Sequence, residues 1–203
     1  MGEIAGKVVL ITGAGKGSGR LLAKVFAEGG AIVAANDISP INVENVVEEI
    51  NQQGGRAKAY IEDVAKKVGV QNLINRVEDD FGRIDILINH AAVEPNMPVL
   101  EMDEWDWHRV LDVNLTGVFL MTQSAGRVMR AQGRGVIINL FTANQDSAKS
   151  EAAFVASMQG LEAFTRQAAR ELIPYGIQVH AVENTGAAII EKVLGLLNGM
   201  EQR

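Results

Sequence analysis

Gly13, Gly15, Gly17 and Gly19 occupy alternate positions behind the apolar run Val8-Val9-Leu10-Ile11, with Thr12 ahead of them and Lys16 and Ser18 between them. Glycines so spaced let a backbone turn tightly and approach a pyrophosphate. A helix starting behind the turn offers that charge unpaired N–H groups and the positive end of its dipole. Asp37 closes the next apolar run. A carboxylate there accepts hydrogen bonds from an adenosine ribose and repels a 2′-phosphate, whereas Lys16, inside the turn, favours a phosphate. The implied chemistry is the binding of a dinucleotide, NAD in preference, with NADP left open. Metal chemistry is not indicated: the chain has no cysteine, and His90, His108 and His180 lie far apart without ligand spacing.

These residues need elements to place them. Leu21, Leu22, Val25 and Phe26 recur at helical spacing after the glycines. Ala31–Asp37 reads as a second strand, and Pro40 opens a helix with Ile41, Val43, Val46, Val47 and Ile50 on its apolar face. Arg56–Ile61 reads as a third strand, followed by Asp63-Val64. Val70, Leu73, Ile74, Val77 and Phe81 mark an amphipathic helix. Ile84–Asn89 is apolar almost throughout, as in a parallel strand covered on both faces. One long helix is expected over Asp103–Arg130, with Trp105 and Trp107 as packing anchors. A fifth strand follows over Gly135–Leu140, a helix from Ser150 to about Ile173, a sixth strand over Ile177–Val182 and a last helix over Ala187–Leu197. Alternating strands and helices predict an α/β fold, a Rossmann-type doubly wound parallel sheet of about six strands in three αβα layers, as a single domain over residues 1–203. Ligands of such sheets bind beyond the carboxyl ends of the strands. That puts Thr12–Gly19, Asp37, Asp63 and Asn89–Ala92 on one rim.

Composition narrows the partners. The chain of 203 residues is 47% hydrophobic, enough for a sizeable core, and carries a net charge of −6 without a basic cluster. Nucleic acid and anionic membrane surfaces are therefore not expected as main partners. No apolar run is long enough to span a bilayer, and no basic segment precedes an apolar one at the N-terminus, so a cytoplasmic location is the expectation.

In order along the chain, these motifs resemble those of the short-chain dehydrogenase/reductase family over essentially the whole length. Thr12-Gly13-x-x-x-Gly17-x-Gly19 resembles its cofactor turn, and Asp63-Val64 its adenine-contacting pair. Asn89-His90-Ala91-Ala92 resembles the segment after its fourth strand. Asn114 stands at its active-site asparagine, and Pro174-Tyr175-Gly176-Ile177-x-Val179 resembles the approach to its sixth strand. The resemblance implies an NAD(P)-dependent oxidoreductase acting on a small alcohol or carbonyl. It implies a cofactor site made by Thr12, Gly13, Gly15, Lys16, Gly17, Ser18, Gly19, Asp37, Asp63, Val64, Asn89, His90 and Ala91. It also implies a homodimer formed through the helices of Asp103–Arg130 and Ser150–Ile173.

The catalytic end departs from that pattern. The family carries a Ser and then Tyr-x-x-x-Lys: the Tyr hydroxyl exchanges the proton, the Lys lowers its pKa and holds the nicotinamide ribose, and the Ser polarises the substrate oxygen. Here Phe154-Val155-Ala156-Ser157-Met158 occupies the Tyr-x-x-x-Lys place and Thr142 falls nearest the Ser. The residues four beyond Tyr60 and Tyr175 are Val64 and Val179, so the chain contains no Tyr-x-x-x-Lys at all. Phe154 has no proton to give, and Met158 has neither charge nor donor. The expectation is an oxidoreductase fold with impaired or absent activity. The alternative is a non-catalytic dinucleotide-binding or structural protein. His90 and Lys149 are the side chains on hand to substitute, though simple packing or exposure explains each. Glu151 reads as a first-turn carboxylate favoured by its helix dipole. Asn184-Thr185-Gly186 stands where the family keeps Pro-Gly, and a seventh strand and a substrate lid are expected to be missing.

Overall fold

The computed structural model describes residues 4–143 and 152–200. Six parallel strands form one sheet in the order β3-β2-β1-β4-β5-β6. They are β1 (Val8–Thr12), β2 (Ile32–Asp37), β3 (Arg56–Ile61), β4 (Ile86–Asn89), β5 (Gly135–Phe141) and β6 (Ile177–Glu183). The order reverses between β1 and β4, where Ile11 stands beside Ile88, so the crevice beyond that pair is the topological switch point.

Alternation along the strands explains the three layers. Val9, Ile11, Val33, Ala35, Ile88 and Ile138 point to one face. There they bury Leu22 and Phe26 of α1 (Gly17–Glu28), Val43 and Val46 of α2 (Pro40–Gln52), and Ile189 and Val193 of α7 (Ile189–Met200). Val8, Leu10, Leu87 and Ile137 point to the other face, against Leu73 and Val77 of α3 (Lys67–Phe81) and Met121 and Met129 of α5 (Gly117–Gln132). The 21-residue α6 (Ala152–Leu172) covers the same face near β6, adding Ala168 to that core. Local signals set the helix starts: Ser39 Oγ caps α2 by accepting from Asn42 N, with Pro40 in the first turn.

Three expectations change. The helix foreseen over Asp103–Arg130 is divided. α4 (Glu104–Leu111) passes through a π-helical turn (Asp112–Thr116) into α5. Trp105 and Trp107 are not packing anchors: Trp105 is 67% exposed, and its ring lies under the Arg109 guanidinium at 5.5 Å. Glu104 and Val110 show why, since α4 buries Val110 and turns its aromatic positions outward. The last helix is preceded by a 3₁₀ turn (Gly186–Ala188), and α7 begins at Ile189 rather than Ala187. Lys149, Ser150 and Glu151 lie outside the described residues.

Candidate functional site

The glycine turn is built by close approach. A Cβ on Gly19 would lie 2.2 Å from the Gly13 carbonyl oxygen, so the first turn of α1 can sit on β1 only with glycine there. Gly17 opens α1 at a φ of +55°, which L side chains rarely adopt, with nothing within 4 Å of its Cβ position. Lys16 precedes the helix in extended backbone and makes no capping hydrogen bond through its side chain. The turn therefore presents bare backbone at the positive end of a 12-residue helix.

Asp37 stands across this turn. Its Oδ2 accepts from Gly15 N at 2.9 Å and its Oδ1 from Ser39 N at 2.9 Å. A carboxylate has about four acceptor sites, so room remains for ribose hydroxyls after both backbone bonds are counted. Gly15 is again required, because a Cβ there would meet Asp37 Oδ2 at 2.8 Å. Residues and ligand chemistry agree: a diphosphate fits the bare turn, and a ribose fits the carboxylate beside it.

Thr12 ends β1 and reaches over to β4. Its Oγ1 accepts from His90 N at 3.1 Å and Ala91 N at 3.2 Å, tying the two strand ends at the switch point. His90 Nδ1 lies 3.1 Å from the Gly13 carbonyl oxygen. Burial pushes the His90 imidazole below its usual pKa. Asn89 is buried and donates through Nδ2 to Asn139 Oδ1 at 2.8 Å, and Asn139 donates to Thr165 Oγ1 at 2.9 Å. This polar chain, buried in the sheet, locks β4 and β5 to α6. Asp63 caps the turn after β3 by accepting from Ala65 N, and Val64 packs with its carbonyl facing Gly117. Ser18 Oγ donates to Asn184 Oδ1 at 3.1 Å, joining the cofactor turn to the segment after β6.

Asn114 sits on the π-helical turn and is buried. Its Oδ1 accepts from Val93 N at 2.8 Å, and its Nδ2 donates to Val93 O at 2.9 Å and to Ser157 Oγ at 3.1 Å. Every polar atom of its amide is thus committed to protein. Ser157, which the sequence reading passed over, in turn donates to Phe154 O at 2.7 Å. Phe154 and Met158 are each 3% exposed and pack with Val118 and Leu161 in a small apolar cluster. Met158 Sδ accepts from Thr142 N at 3.4 Å, a weak bond that brings Thr142 and Met158 together. Asn114, Thr142, Phe154 and Met158 thus converge at the carboxyl ends of β4 and β5, while the turn, Asp37 and His90 gather at the ends of β1, β2 and β4. Spacing within α6 shows Ser157 one turn beyond Phe154, and that periodicity is the signal by which it was discoverable.

Fold and site define a parallel-sheet protein with a dinucleotide turn at its switch point. Comparison with known proteins agrees. A family model described as short chain dehydrogenase matches residues 7–188. An uncharacterized oxidoreductase of Thermotoga maritima is 40% identical over 178 residues, which is 87% of this chain and 70% of that protein. A solved metagenomic short-chain oxidoreductase in complex with NADP superposes with a TM-score of 0.89 at 27% identity, over 96% of this chain and 92% of that one. A solved NAD+-bound xylitol dehydrogenase gives a TM-score of 0.84 at 34% identity, over 89% and 70% respectively. The chain belongs to the short chain dehydrogenase family, and a nicotinamide dinucleotide is its cofactor class.

Proposed function

We propose that this chain binds NAD in preference to NADP, at a site made by Thr12–Gly19, Asp37, Asp63-Val64 and Asn89–Ala91, and does not run the usual proton transfer of its family. A bound nicotinamide supplies or accepts hydride. The chain's own residues would have to orient the substrate oxygen and handle its proton. One observation carries the reading: Phe154 and Met158 are buried together in an apolar cluster, and among the described residues the polar group that meets Met158 is the backbone N–H of Thr142. Neither side chain exchanges a proton or holds a ribose hydroxyl. Loss of a positioned acid or base costs about 10²- to 10⁴-fold in rate. Loss of a charged hydrogen bond to the ribose costs about 1.5–3 kcal/mol of binding. Thr142 remains able to orient an oxygen, and Asn114, with its amide committed to Val93 and Ser157, acts as a clamp on the π-helical turn.

The same observation favours a non-catalytic role: a dinucleotide-binding protein that works through partner contacts. Phe119 on the outer face of α5 is 41% exposed and meets Phe164 of α6 edge-on at 6.1 Å. This apolar pair supports a homodimer across those helices. No helix among the described residues is long and apolar enough to cross a membrane.

Titration of the purified chain with NADH and NADPH, read by energy transfer from Trp105 and Trp107 or by calorimetry, tests the reading. The expected result is binding of NADH, weaker binding of NADPH and no turnover of alcohols or carbonyls. The double variant Phe154→Tyr, Met158→Lys should bind NADH more tightly. Unchanged affinity in that variant counts against the placement of the two positions, and turnover by the wild-type chain overturns the loss of chemistry.

A further inference from the structure

We propose that His90 is the positioning residue of the dinucleotide turn: its ring, wedged between the end of β4 and the first turn of α1, fixes the Gly13 carbonyl and so sets how the turn's N–H groups face a pyrophosphate. The proposal rests on the reading of the turn as a dinucleotide site.

Two contacts hold the residue. Its backbone N donates to Thr12 Oγ1, which anchors it at the switch point. Its Nδ1 lies 3.1 Å from Gly13 O, and a carbonyl oxygen only accepts, so Nδ1 carries the hydrogen. Contact with the turn is close on both sides. A Cβ on Gly13 would lie 2.9 Å from Nδ1, and one on Gly19 would lie 2.6 Å from it. Gly13 and Gly19 therefore leave space for a histidine as well as for a ligand. Gly13 has a φ of +66°, and the imidazole bond holds the peptide that follows in the orientation this turn requires.

The charged groups that face the ring are Asp37, from the end of β2, and Lys16, from the turn itself. The carboxylate favours the imidazolium and the ammonium opposes it, while burial, the largest influence, pushes the ring below its usual pKa. A diphosphate bound on the turn brings further negative charge near the ring, and the proton becomes easier to hold. Dinucleotide binding is then linked to proton uptake, and affinity rises as pH falls through the histidine range.

Substitution separates position from titration. The amide Nδ2 of asparagine lies as many bonds from Cβ as the imidazole Nδ1 does, so His90→Asn keeps a donor for Gly13 O without a titrating group. His90→Ala removes both. The experiment titrates the full chain with NAD+ by calorimetry at pH 8 and pH 5.5. Wild type should bind, and more tightly at pH 5.5. His90→Asn should bind like wild type at pH 8 with no gain at pH 5.5. His90→Ala should bind about tenfold more weakly, the effect of one lost hydrogen bond. His180→Gln should leave the pH dependence intact. Binding by His90→Ala that matches wild type at both pH values overturns the proposal alone. So does a pH gain that survives in His90→Asn, which also decides the matter should His90→Ala not fold. Absence of binding by the wild-type chain at either pH overturns the site reading and this proposal with it.

Discussion

Asp37 shows how one side chain can hold two elements together and still offer acceptors to a ligand. Its two oxygens hold Gly15 N and Ser39 N, so the glycine turn and the start of α2 are both referred to it. In the proposed site the remaining lone pairs would take ribose hydroxyls, and the negative charge would oppose a 2′-phosphate. Asp37→Asn removes the charge and keeps one acceptor. The expected outcome is a rise of about tenfold in NADPH affinity relative to NADH, corresponding to about 1.4 kcal/mol of removed repulsion. Paired titrations of wild type and variant with both nucleotides measure it. An unchanged ratio would mean that Lys16, not Asp37, sets the preference.

Among the elements, the π-helical turn between α4 and α5 decides where Asn114 points. Inserting a wider turn rotates the following helix, and such bulges collect at functional sites. Here the rotation delivers Asn114 to Val93 on one side and Ser157 on the other. Asn114→Ala leaves Val93 N and O, which are partly buried, without their side-chain partner, and should destabilise the protein by about 1–3 kcal/mol in urea unfolding. Gly126→Ala, on the same helix system, is the contrasting case. Its added Cβ would meet only Leu172 Cδ1 at 3.9 Å, so a gain of about 0.5–1 kcal/mol is expected. The π-helical turn was not legible in the sequence. Val110, Asn114, Val118 and Met121 fit one continuous helix nearly as well, because one extra residue in a turn barely disturbs an apolar stripe. Most strands were legible as short apolar runs bounded by glycine or a polar residue, and β3, Arg56–Ile61, by its position between two helical patterns. The glycine turn was legible for a related reason: its requirements are steric and local. Trp105 and Trp107 misled because size and apolarity say nothing about which way a short helix faces. The polar chain Asn89–Asn139–Thr165 escaped notice because its members are separated in sequence and meet only once β4, β5 and α6 are assembled.

At the scale of the whole molecule, the two faces of the sheet differ in what they leave uncovered. The α5–α6 face exposes Phe119 beside Phe164, and the homodimer proposed above would bury it. Phe119→Glu should shift the species seen by light scattering from dimer to monomer while leaving the unfolding midpoint of the monomer intact. The other face shows up in the response to acid. His180 on β6 has a buried Nε2 without a hydrogen-bond partner among the described residues, and burial holds its pKa below the usual imidazole value, as it does for His90. A histidine whose pKa is depressed on folding binds protons more readily when unfolded. Stability therefore rises with pH across the interval between the depressed values and about 6.5. The contribution is complete above about pH 6.5 and is lost as pH falls through that interval. Urea unfolding from pH 8 down to pH 5 should show a plateau followed by a decline. In His180→Gln the decline should be shallower, and in the double variant His90→Asn, His180→Gln shallower still. Asp80 and Glu49 are held below the usual carboxylate range by their lysine partners, and their contributions are lost at lower pH. A decline of equal steepness in the double variant would show that neither histidine carries the acid sensitivity above pH 5.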